Sequence, residues 1–208
     1  MHITSNKSRA IGREISRIEP RFAEVIAEFA PCPIGVTKSR ESNFAALASS
    51  ILSQQLSVKA AATITDRVRL MAGGRLDPKQ IAKSRITELR SLGCSATKAR
   101  ALLELAQKSA SGELPIRSLH RKSDAEIEAL LLPLHGIGKW TVEMFLIFQL
   151  GRVDIWPVGD LGVRRGWEKI FGMRSEISPE RLAVLGEKFA PYRSHLAWYC
   201  WRAHSIYE

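Results

Sequence analysis

Glycine and proline punctuate residues 131–166, LLPLHGIGKWTVEMFLIFQLGRVDIWPVGDLGVRRG, and they constrain this chain more than any other stretch. Pro133 lacks a backbone donor and disfavours helical geometry in the residue before it, so the helix entering this stretch stops there. Gly136-Ile137-Gly138 lets the backbone reverse without side-chain clashes. An apolar helix then begins near Lys139 and ends near Gly151. The loop after it carries Asp154 and Asp160 around Trp156 and Pro157, and Gly166 closes the stretch.

The rest of the chain repeats the theme. Pro20 begins RFAEVIAEFA, where Phe22, Val25, Ile26 and Phe29 recur at helical spacing, and Pro31 and Pro33 end it. Ser42 caps NFAALASSILSQQ, with Phe44, Leu47, Ala48, Ile51 and Leu52 on one face. Ser57 caps the next helix, which Gly73-Gly74 terminates. Asp77-Pro78 starts a short helix and TELRSLG forms another. SATKARALLELAQKSASG is longer, with Ala99, Leu102, Leu103, Ala106 and Ala110 in register. Ser123 and Glu126 form a capping box ahead of DAEIEALLLP. Helices from Pro179 and over SHLAWYCWRAHS complete the chain, while residues 1–19 stay unassigned. No segment alternates with period two, and no Asn-Gly or Asp-Gly hairpin signal occurs. The fold class is all-α, with about ten short helices.

A chain of 208 residues can bury a substantial core. Its net charge of +10 points to a polyanionic partner, nucleic acid before others. Cys32, Cys94 and Cys200 are far apart and form no CxxC, which argues against a zinc or iron–sulfur site and for reduced, buried thiols. No apolar run reaches signal-peptide or membrane-span length. The expectation is a cytoplasmic protein without a membrane partner.

The turn has a possible chemistry of its own. The amides of Gly136 and Gly138 sit at a helix N-terminus, where the dipole is positive and a phosphate can bind without a cationic side chain. Lys139 adds a charge, Thr141 a hydroxyl or an amide, and Ile137 can plug the turn into the core. Read alone, the same residues also fit a plain helix–helix connection. Asp160, read alone, fits a helix N-cap.

The longer pattern carries more information. An apolar residue, LHGIGKWT and an apolar helix together resemble a helix-hairpin-helix motif. The following loop, DxxPxxDLGxRRG from Asp154 to Gly166, resembles the 3-methyladenine DNA glycosylase II family within the helix-hairpin-helix base-excision DNA glycosylases. ILSQQLSVKAA and LGCSATKARALLELA match family segments, and the resemblance spans roughly residues 42–201. It departs at His135, where the family usually has proline.

The resemblance implies two helical subdomains with the active-site cleft between them. One is 40–152 with the hairpin at 133–141, and the other is 1–39 plus 153–208. It implies phosphate contacts through Gly136, Gly138, Lys139 and Thr141, and a structural monovalent cation on the carbonyls of Leu132, Leu134 and Ile137. No other cofactor is implied. Asp160, about twenty residues beyond Trp140, takes the position of the catalytic aspartate. A carboxylate there stabilises the positive charge that develops on the sugar as an N-glycosidic bond breaks. Trp140, Trp201, Met144 and Trp156 are implied to line the base pocket, and Gln55 with Gln54 to fill the gap left by an extruded base. Relatives that also nick the strand carry lysine at the position of Trp140. Lys139 is one residue off, about 100° around the helix. The implied activity is therefore a monofunctional glycosylase for alkylated bases, a monomer acting on damaged double-stranded DNA. The alternatives are a non-catalytic DNA-binding module and a bifunctional glycosylase/lyase.

Overall fold

In the computed structural model, residues 3–206 are described, and no strand occurs among them. Met1 and His2, the start of the unassigned segment, lie outside the described residues. Contacts divide the chain into two units, Met1–Ser39 with Leu146–Glu208 (the terminal unit) and Arg40–Phe145 (the middle unit). The second boundary differs from the expected 152/153. Gly151 belongs with the N-terminal segment, because a Cβ on it would meet Gly35 Cα at 3.1 Å.

The N-terminal segment is helical from Ser5. Thr4 caps α1 (Ser5–Ile18), whose Ile11 and Ile15 are buried. A 3-10 turn at Pro20–Phe22 leads into α2 (Ala23–Phe29). Sequence reading missed α1 because its composition is polar; only one narrow stripe is apolar.

The middle unit contains α3 (Asn43–Ser53), α4 (Val58–Met71), α5 (Pro78–Ile81), α6 (Ile86–Ser91), α7 (Ala96–Ser111), α8 (Asp124–Leu131) and α9 (Lys139–Met144). The expected caps form. Ser42 accepts from Ala45 N, Ser57 from Ala60 N, and Ser123 and Glu126 make both bonds of a capping box. Packed by α3, α5 and α6, α7 buries Ala99, Ala101, Leu102, Leu105 and Ala106. Leu103 and Ala110, expected in that face, are only half-buried. Contacts from three neighbours turn a narrow stripe into a broad face.

The apolar helix after the hairpin does not stay α-helical to Gly151. It widens into a π-helical turn at Phe145–Gln149. The rest of the terminal unit is α10 (Leu161–Ile170), α11 (Pro179–Gly186), a 3-10 turn at Glu187–Phe189, and α12 (Arg193–Ile206). Phe22, Trp167, Phe189 and Tyr199 fill its core. The three cysteines are buried, and loss of hydration pushes their thiols up, Cys32 to about 12.

α10 and α12 approach closely at Gly166, where a Cβ would stand 1.8 Å from the Cys200 carbonyl oxygen. That neighbour is helix backbone and cannot swing aside. Gly166→Ala is expected to cost at least about 3 kcal/mol or to abolish folding, read by urea unfolding.

His195 on α12 is fully buried, and neither ring nitrogen has a hydrogen-bond partner among the described residues. Burial pushes its imidazole down to about 4 from an ordinary 6.5. Between these values the unfolded chain binds a proton that the folded chain refuses. Stability is therefore full above the upper value, falls as pH drops through the interval, and levels off below it. The expected loss is on the order of 3 kcal/mol. Urea unfolding of the protein and of His195→Leu at several pH values checks it. Equal slopes in the two proteins would contradict the assignment.

Candidate functional site

In the terminal unit the loop after the π turn is stapled to the first turn of α12. The Asp154 carboxylate accepts from Arg193 Nε at 2.7 Å, Nη2 at 2.8 Å and the Arg193 amide at 3.2 Å. Ser194 donates its amide to the Val153 carbonyl at 3.0 Å, and its Oγ accepts from the Ile155 amide at 2.8 Å. Asp154 is thus occupied in holding a helix start, and its hydrogen bonds raise the pKa of the Arg193 guanidinium. Trp156, expected near the base pocket, is instead committed to this scaffold. Its Nε1 donates to the Leu182 carbonyl at 3.0 Å, and its ring lies on Gly186 and edge-on to Trp167.

Asp160 closes the same loop and caps α10. Its Oδ1 accepts from the Val163 amide at 2.9 Å and from the Trp201 indole Nε1 at 2.8 Å. The first bond is an ordinary N-cap, in which the positive end of the helix dipole favours a carboxylate. The second comes from the C-terminal half of α12 and holds the carboxylate in one orientation. Trp201 also covers Gly162, where a Cβ would lie 2.9 Å from its Cδ1.

The basic residues beyond Asp160 have partners within the unit. Arg164 donates to the Ile177 carbonyl, Arg165 to Glu168 and Glu176, and Lys169 to the His204 carbonyl.

In the middle unit the hairpin turn joins α8 to α9. Leu134 N donates to the Leu131 carbonyl at 3.1 Å and Ile137 N to the Leu134 carbonyl at 3.2 Å. Ile137 is buried, as a plug would be. Gly136 has φ +74°, which disfavours any side chain, and a Cβ there would meet the Ala101 Cβ at 2.9 Å. Gly138, Lys139 and Trp140 are exposed, Met144 is half-buried, and Thr141 is buried. The Thr141 side chain is buried on α9 with that of Val142, which leaves its backbone amide in the first turn of the helix as the group that can face a phosphate.

Two contacts that sequence reading missed hold this turn. Gln54 Nε2 donates to the Gly136 carbonyl at 3.0 Å, and the His135 amide donates to Glu104 Oε2 at 3.0 Å. Proline at position 135 would have no such amide. Lys98, left open between phosphate contact and solvated face, donates to the Leu52 carbonyl at 2.8 Å and so caps α3. Gln54 and Gln55 separate here: Gln54 braces the hairpin, while Gln55 is exposed with φ +55° beyond the end of α3. Leu56 and Val58, 40% and 90% exposed, follow it. Glu143 was also missed. It is buried on α9, with an oxygen 4.0 Å from the exposed Lys139 ammonium. A single acid inside the apolar run TVEMFLIF was its only signal.

A family model for HhH-GPD superfamily base excision DNA repair proteins matches residues 48–191. The chain belongs to that superfamily. The matched span takes in the hairpin, the loop of the two aspartates and Asp160. Among HhH-GPD relatives, the DNA-3-methyladenine glycosylase 1 of Schizosaccharomyces pombe is 31% identical over 89% of this chain and 82% of its own length. The crystal structure of a DNA-3-methyladenine glycosidase from Bacillus halodurans superposes with a TM-score of 0.84 at 29% identity, covering 100% of this chain and 94% of that one. The 3-methyladenine DNA glycosylase of Schizosaccharomyces pombe in complex with abasic DNA gives 0.78 at 28% identity, over 94% of this chain and 95% of that one.

The two glycines of this HhH-GPD hairpin are expected to differ in their tolerance of a side chain. Gly136→Ala combines positive φ with a clash and should cost about 2 kcal/mol. Gly138→Ala meets open space at φ −95° and should cost only the difference in capping, below about 1 kcal/mol. Denaturant unfolding of both variants checks the order, and equal losses would contradict it.

Proposed function

We propose that this chain is a monofunctional DNA glycosylase that extrudes alkylated bases, of 3-methyladenine and 7-methylguanine type, from duplex DNA and hydrolyses the N-glycosidic bond. The product is an abasic site. The observation that carries the reading is the carboxylate of Asp160, oriented by the Val163 amide and the Trp201 indole in a chain of this superfamily.

The chemistry follows from charge. Breaking the bond between sugar and base builds oxocarbenium character on the sugar, and a fixed carboxylate stabilises that charge without reorganising. It can also orient the attacking water. A base that is already cationic through alkylation leaves with little acid help, so one carboxylate suffices. Electron-rich rings suit such a base; Trp140 in the middle unit and Trp201 in the terminal unit each offer one, and Met144 offers a further apolar contact. Gln55, exposed and held in a left-handed conformation, fills the space the base vacates. The amides of Gly136 and Gly138 and the Lys139 ammonium meet backbone phosphate, which gives salt-dependent affinity. A monovalent cation on the carbonyls of Leu132, Leu134 and Ile137 fits oxygen donors of this kind. The second lone pair of Leu134 serves it, the first accepting from Ile137. The protein acts as a monomer on cytoplasmic DNA.

Trp140 stands where strand-nicking relatives carry lysine. Lys139 is an exposed ammonium beside the Glu143 carboxylate, unlike the desolvated amine that Schiff-base chemistry favours. That observation favours hydrolysis alone.

The wild-type protein is expected to release free methylated base from alkylated duplex DNA. Asp160→Asn should slow single-turnover release by at least about a hundredfold while duplex affinity changes less than about threefold. Excision by the variant at the wild-type rate would remove Asp160 from the chemistry. Trapping of a covalent protein–DNA adduct by borohydride would establish lyase activity instead.

A further inference from the structure

The π turn presents an aromatic residue that the reading above leaves unused. Phe148 lies within Phe145–Gln149 and is 52% exposed, unusual for a phenyl ring in so apolar a segment. Its ring centroid is 5.4 Å from that of Trp201, with the planes tilted by 31°. Trp201 in turn donates its indole N–H to Asp160 Oδ1 at 2.8 Å. Three side chains of the terminal unit thus form a line: phenyl ring, indole ring, carboxylate. We propose that Phe148 is a positioning residue for Asp160, acting through the ring of Trp201.

An indole N–H bond to a carboxylate is directional, and it weakens steeply as the donor swings away from the acceptor. Gly162 lies beneath the indole edge and leaves no Cβ to limit the ring from that side. Phe148 supplies a contact to that ring, at a centroid separation within the range of attractive aromatic pairs. A π turn inserts one extra residue per turn and so re-aims the side chains after it. Here the re-aimed residue meets Trp201 instead of continuing the buried stripe of Leu146 and Ile147.

The inference rests on Asp160 being the catalytic carboxylate, and a double-mutant cycle on the full chain separates the two claims. The substrate is duplex DNA carrying one 7-methylguanine, under single-turnover conditions, and binding is read on a duplex with an abasic-site analogue. Phe148→Ala should lower the excision rate constant about tenfold, with affinity for the abasic duplex changed less than about threefold. Phe148→Tyr, which keeps the ring, should restore the rate. Trp201→Phe keeps a ring but has no N–H, so Phe148→Ala should cost nothing further in that background, giving coupling of about 1.4 kcal/mol for a tenfold effect. The proposal is overturned by equal losses from Phe148→Ala in both backgrounds, by a loss confined to binding, or by a rate unchanged from wild type. If Trp201→Phe does not fold, the Phe148→Ala and Phe148→Tyr pair decides the matter alone: failure of Tyr to restore the rate overturns it. Asp160→Asn is the control. Should it excise at the wild-type rate, the reading of Asp160 fails whatever Phe148 does. Should it be inactive while Phe148→Ala is normal, only the present inference fails.

Discussion

The terminal unit depends on the close approach of α10 and α12 at Gly166. With only a hydrogen where other residues carry a methyl, the backbone of α10 packs on the Cys200 carbonyl. Trp201 follows Cys200 directly, and Asp160 caps the helix on which Gly166 lies. The contact between the helices is therefore what brings an indole donor to a carboxylate oxygen 41 residues away in sequence. Any side chain at position 166 would force the two helices apart.

Around this contact the loop of two aspartates divides its labour. Asp154 binds Arg193 through two nitrogens and the backbone amide, so it fixes where α12 begins. Trp156 ties the middle of the loop to the Leu182 carbonyl. With the loop anchored to α12 and α11, Asp160 at its end has little freedom left. The same logic holds in the hairpin, where Gln54 and Glu104 hold the turn by a carbonyl and an amide. In both places the residues of proposed chemical role are few, and side chains that touch only protein fix their geometry.

Much of this was legible in the residues. Serine and aspartate caps, the Asp77-Pro78 start and the 3.6-residue stripes are local signals, because a helix start is decided within one turn. The GIG turn and the DxxPxxDLGxRRG loop are local as well. What escaped the sequence was non-local or weakly patterned. α1 has too few apolar residues to announce itself, and α7 is buried on more sides than one stripe shows. Trp156, near Asp160 in sequence, turns toward Gly186 instead.

The sequence by itself determined the all-α class, the helix starts, the hairpin turn and the candidacy of Asp160, since each rests on neighbours within a few residues. Only the tertiary structure decided which partners those residues take. It assigned Gln54 to the hairpin carbonyl, Lys98 to the end of α3, Asp154 to Arg193, Trp201 to Asp160 and Phe148 to the ring of Trp201. These bonds join residues separated by tens of positions, and their formation depends on helix packing that no short sequence pattern encodes.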